Sequence, residues 1–107
     1  ASGFLTDDSV VGVKRHDLAR AYDLESPASL RLRRMARSLT FLSRENSCTL
    51  AQAAFRFVLM HEGVATALGG FTTRAQLEEI AAVSGAAPFS FGQMARLEAL
   101  WQSDFAR

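Results

Sequence analysis

Val64-Ala65-Thr66-Ala67-Leu68-Gly69-Gly70-Phe71-Thr72-Thr73-Arg74-Ala75-Gln76-Leu77 decides the reading of this chain. Its first five residues form a short apolar run closed by two glycines, the length of a buried parallel strand. Thr73 and Gln76 then stand at capping-box spacing, and Leu77, Ile80 and Ala81 give an apolar helical face that runs to Ser84-Gly85. A glycine-ended strand that passes straight into a capped helix leaves backbone N–H groups facing the crevice beyond the strand. The helix dipole adds about half a positive charge there, so a phosphate group binds well at such a junction. The plainer alternative is a bare capping box after a two-glycine turn, and the local pattern alone leaves both open.

Working outward, Asn46, Ser47 and Thr49 offer a cap upstream, followed by a stripe of Leu50, Ala53, Ala54, Phe57, Val58 and His61. Phe55, Leu59 and Met60 thicken that stripe, so the helix is expected to lie centrally, covered from several sides. Before it, Ser26-Pro27 supplies a cap and a first-turn proline for an amphipathic helix reaching about Arg44, with Leu32, Met35, Ala36, Leu39 and Leu42 inward. Residues 14–23 read as one or two helical turns, and 1–13, with Gly3, Gly12, Thr6 and Ser9, as a loop. Downstream, Ser90 and Gln93 repeat the capping-box spacing ahead of Met94, Leu97, Leu100, Trp101 and Phe105. The single segment 1–107 therefore divides into a loop (1–13), helices (14–62), a strand (63–70) and further helices (72–107). The fold class is predominantly α with one or two short strands. One strand has no sheet to join, so its partners are expected elsewhere.

Composition narrows the function classes. With 107 residues, 49% hydrophobic and 21% charged, the chain suits one modest core. A net charge of +1 provides no general field for nucleic acid or anionic membrane. Arg31, Arg33, Arg34 and Arg37 are accordingly read as the solvated face of their helix. The lone Cys48 excludes an intramolecular disulfide, and no apolar run approaches the ~20 residues of a membrane span, so a cytoplasmic location is the expectation. His61 reads as a helix-end cation, and Trp101 and the phenylalanines as core. Ala1 in place of an initiator methionine points to upstream sequence.

Three stretches, in order, resemble the end of an aldo-keto reductase. Ala1-Ser2-Gly3-Phe4-Leu5-Thr6 is similar to the small-residue segment after the seventh barrel strand. Thr49-Leu50-Ala51-Gln52-Ala53-Ala54-Phe55-Arg56-Phe57-Val58-Leu59 resembles the family's seventh helix, and Gly69 to Ile80 the loop and helix start at the adenosine end of the cofactor. Leu97 to Trp101 resembles the closing helix. The resemblance covers nearly the whole chain, whereas a complete (β/α)8 barrel needs roughly 250 residues. It thus implies the C-terminal portion of a TIM barrel from an NADP-dependent oxidoreductase, with NAD as the other possible cofactor and a small aldehyde or ketone as substrate. It further implies cofactor contacts from Ser2, Gly3, Gly70, Phe71, Thr72, Thr73, Gln76 and Glu79: pyrophosphate at Ser2 and Gly3, hydroxyls from the two threonines, ribose or adenine at Gln76, and the adenine amino group at Glu79.

The chain departs from the family where a basic residue often stands at position 70 or 72 and an asparagine in place of Ile80; Arg74 is the candidate substitute for the 2′-phosphate. The family's catalytic Asp, Tyr, Lys and His precede this region, so no catalytic residue is assigned, no metal is expected, and the chain alone should be inactive. Lys14, His16, Asp17 and Tyr22 supply those residue types but match no family motif. Helix faces normally packed on the barrel would pair with another chain, giving an oligomer if isolated. The competing reading is an independent helical binding module, of helix-turn-helix or protein-interaction type, without enzymatic activity.

Overall fold

The computed structural model describes residues 4–11 and 25–105. The described residues build six helices: α1 (Asp7–Val11), α2 (Pro27–Ser38), α3 (Thr40–Glu45), α4 (Leu50–Leu59), α5 (Arg74–Ala81) and α6 (Phe91–Gln102). Their starts are set locally. Ser26 accepts from the Ser29 N–H ahead of Pro27, while Thr49–Gln52, Thr73–Gln76 and Ser90–Gln93 each close a reciprocal capping box. Gly63 and Gly85, at φ 85° and 78°, occupy the left-handed backbone that lets the chain turn away after α4 and after α5.

The core gathers where α3, α4 and the approach to α6 meet. Phe41, Leu42, Ala53 and Phe89 are buried together, with Leu39, Phe57 and Met94 packed against them. The Arg96 guanidinium lies 4.2 Å from the centre of the Phe41 ring and closes one side of the cluster. Leu50 is the largest fully buried side chain. Its backbone N–H is held by Asp7 Oδ1 at 3.2 Å, which joins α1 to the start of α4.

Several expectations need correction. The run 64–68, read as a strand, is irregular, and the structure contains no strand among the described residues. Strand geometry is stabilised by ladder bonds to a neighbour, and no described segment supplies one; Leu68 is 96% exposed. Within the segment read as a loop, Asp7–Val11 is a short helix, its turn closed by Val10 N–H on the Thr6 carbonyl at 3.2 Å with Asp7 and Asp8 at its positive end. The helix expected from Pro27 to Arg44 is interrupted at Leu39. There, hydroxyls compete for ladder carbonyls: Ser38 Oγ donates to the Met35 carbonyl at 2.6 Å and Thr40 Oγ1 to that of Arg37 at 2.8 Å.

The apolar helix α4 is covered on one side only, with Leu50 and Ala53 buried and Val58 exposed. Trp101, Phe71 and Phe91 are exposed too, whereas Phe4, Phe41 and Phe89 are core. Periodicity gave α4 and α6 their apolar faces, which the described residues cover in part: Leu50 and Ala53 are buried and Phe57, Met94, Leu97 and Leu100 pack on the core, while Val58 and Trp101 are left open. The helix expected over 14–23 lies outside the described residues.

Candidate functional site

The uncovered faces of α4 and α6 enclose an open hollow of about 1670 Å³. Ala51, Ala54, Phe55 and Val58 come from α4, Met94, Leu97, Glu98 and Trp101 from α6. The loop from Leu68 to Thr72 and the Gln76, Glu79 and Ile80 side of α5 form its rim. Of the expected cofactor contacts, Gly70, Phe71, Thr72, Gln76 and Glu79 thus line the same hollow. Thr73 stands beside them as the cap of α5. Ser2 and Gly3 lie outside the described residues.

Local chemistry explains why the rim has this shape. Gln76 Oε1 accepts from the Thr72 N–H at 2.7 Å, the Thr72 hydroxyl at 3.1 Å and the Thr73 N–H at 3.3 Å, while the Gln76 N–H donates to Thr73 Oγ1 at 3.1 Å. One glutamine oxygen therefore gathers the whole turn, and both threonine hydroxyls are engaged within the box. Outward-facing chemistry is left to the Gln76 side-chain NH₂ and to the first-turn amides of Arg74 and Ala75, which have no partner inside a helix. Gly70 adds no bulk, and a Cβ there would meet nothing within 4 Å. A helix end of this kind offers donors suited to an anion, and Phe71 and Trp101 add apolar surface to the lining of the hollow.

Arg74 points along its own helix, with Nε 3.0 Å from Glu78 Oε1 and both side chains largely exposed. An exposed pair of this kind contributes about 0.5 kcal/mol or less, so Arg74 is easily released toward a ligand. His61 Nδ1 lies 2.6 Å from the Phe57 carbonyl, where the ring donates to the end of α4 as its position suggests.

Two residues with a part in the site's support were not singled out from the sequence. Gln52 closes the α4 capping box and also reaches the Glu79 carbonyl on α5 at 2.8 Å. Arg56 crosses to the segment before α6. The signal for each was a polar residue inside an otherwise apolar helix. Gly69 was read as closing a strand, as part of a turn and as the start of the cofactor loop; in the structure a Cβ on it would come within 3.0 Å of Phe55 and 3.1 Å of Ile80, so the loop threads between α4 and α5.

Among the described residues no cluster of His, Cys, Asp and Glu could hold a metal ion, and no helix is long and apolar enough to cross a membrane. Neither the curated proteins nor the solved structures include a match to the chain. The sequence profile of the Aldo/keto reductase family matches residues 1–102 of the 107, in agreement with the resemblance in the stretches around Gln52 and Gly70, and the chain belongs to that family.

Proposed function

We propose that this chain contributes the adenosine-phosphate part of the cofactor site in an NAD(P)H-dependent oxidoreductase that reduces aldehydes or ketones. The observation that carries the reading is that Gly70, Phe71, Thr72, Gln76 and Glu79 line one hollow, on either side of the Thr73 cap that starts α5. The residues fit a nucleotide phosphate. The Arg74 and Ala75 amides and the Gln76 side-chain NH₂ would donate to it, aided by the helix dipole, and Arg74 would turn from Glu78 to a 2′-phosphate. Phe71 would lie against the adenosine, and the Glu79 carboxylate would accept from its amino group. When bound, the nicotinamide cofactor supplies the hydride for carbonyl reduction. This chain's own part is to hold and orient the far end of that molecule.

The proposal includes a partner region bearing the catalytic Asp, Tyr, Lys and His, a cytoplasmic location, and association of the isolated chain through its open apolar faces. Light scattering at micromolar concentration should give a dimer or larger species; a monomer would count against that association. The single tryptophan, Trp101, borders the same hollow and provides the main test. Titration with NADPH should quench its emission saturably, more weakly after Arg74→Ala. NADPH that leaves the emission and an independent calorimetric titration both flat would refute the cofactor reading.

A further inference from the structure

We infer that Gln52 is a positioning residue for α5: its side-chain amide holds the Glu79 carbonyl and thereby fixes the helix that carries the rim of the hollow. This deepens, and rests on, the reading of that rim as the adenosine site.

α5 is eight residues long and buries no side chain within its span, so apart from Val83 in the turn that follows, polar links must help to set its place. The carbonyls at its C-terminal end show where it is held. Those of Glu78, Ile80 and Ala81 accept from the following turn, from Ala82, Val83 and Ser84 N–H at 3.1 to 3.2 Å. The carbonyl between them, that of Glu79, accepts from Gln52 Nε2 at 2.8 Å. The other end of the same amide is fixed as well, since Gln52 Oε1 accepts from the Thr49 N–H at 3.0 Å. A planar amide with both ends engaged is a rigid link from the first turn of α4 to the last turn of α5. One turn along α4, on the same face, Phe55 meets Ile80 around Gly69. Gln52 therefore sets where Gly70, Thr72 and Gln76 stand relative to the α4 wall.

Gln52→Glu isolates the link. A carboxylate still accepts from the Thr49 N–H, but it has no proton to donate and sets an oxygen against the Glu79 carbonyl. Hydrogen exchange of the 107-residue chain should show the α5 amides exchanging about five- to tenfold faster, the worth of one net hydrogen bond, with α2 and α6 amides unchanged. NADPH should bind the variant about five- to tenfold more weakly, while the main thermal transition stays in place. Gln52→Met, which lacks both polar ends, should add loss of the α4 cap and lower that transition. Unchanged α5 exchange in Gln52→Glu, or a uniform acceleration across all helices, would overturn the assignment whatever NADPH does. Selective loosening of α5 with no NADPH binding even to the unmodified chain would uphold the role of Gln52 and remove the cofactor reading.

Discussion

The Arg56 guanidinium donates to the Ala87 carbonyl at 2.8 Å, joining α4 to the segment that leads into α6 across 31 positions of sequence. The same side chain reaches Asn46 Oδ1 at 3.4 Å and Cys48 Sγ at 3.9 Å, and its cation lies 5.3 Å from the centre of the buried Phe89 ring. Arg56→Met should lower stability by about 1 kcal/mol in urea unfolding, because the charged hydrogen bond to the exposed Ala87 carbonyl and the contact of the cation with the Phe89 ring are lost together. Arg56→Lys should recover only part of it, since an ammonium lacks the planar fork that serves several acceptors at once.

Neighbouring glycines should respond in opposite ways. Gly69→Ala forces Phe55 and Ile80 apart and should cost about 1–3 kcal/mol, as overpacking does. Gly70→Ala enters open space at a φ that any residue adopts, so its stability should stay within about 0.5 kcal/mol. Its NADPH affinity should nonetheless fall, because the methyl group occupies the rim. Thermal melts and an NADPH titration of the two variants would separate the effects.

Apolar side chains should differ just as sharply with their burial. Leu50→Ala opens a cavity at a residue only 2% exposed and should cost about 2–5 kcal/mol. Trp101→Ser, at 74% exposed, should change stability by about 0.5 kcal/mol or less at dilutions where the chain is a monomer. Chemical denaturation of both would check this, and a large loss at Trp101 would mean that its face is covered in solution.

Thr73→Ala removes the acceptor for the Gln76 N–H and should weaken α5 by about 1 kcal/mol, with Thr73→Ser close to the original. Amide exchange at Gln76 would report it directly. NADPH affinity should fall alongside, since an unwound first turn no longer presents the Arg74 and Ala75 amides.

Features whose cause lies within four residues were legible in the sequence. The boxes at Thr73 and Ser90 follow from residues three apart, and helices start after them as expected, though they end at Ala81 and Gln102, short of Ser84 and Phe105. The 64–68 run was not legible, because its alternation-free apolar composition suits a strand only if another strand lies beside it. Trp101 misled for a related reason: helical spacing identifies an apolar face but not what rests on it. The break at Leu39 came from two hydroxyls, Ser38 and Thr40, that looked like ordinary polar positions. At the site, the family pattern named residues of which Gly70, Phe71, Thr72, Gln76 and Glu79 line one hollow. It could not reveal that Gln76 spends its oxygen on Thr72 and Thr73, or that Gln52 spans two helices, because both depend on the relative placement of side chains.

The self-capped starts of α4, α5 and α6 bear on how quickly the chain acquires its shape. Each helix carries its nucleating turn in its own sequence, so helical segments can form and dissolve on the microsecond scale before distant segments meet. α5 and α6, which bury no side chain, should be the first to fray under denaturant, ahead of the Phe41–Ala53 centre. Unfolding followed by Trp101 emission should therefore precede the loss of total helical signal.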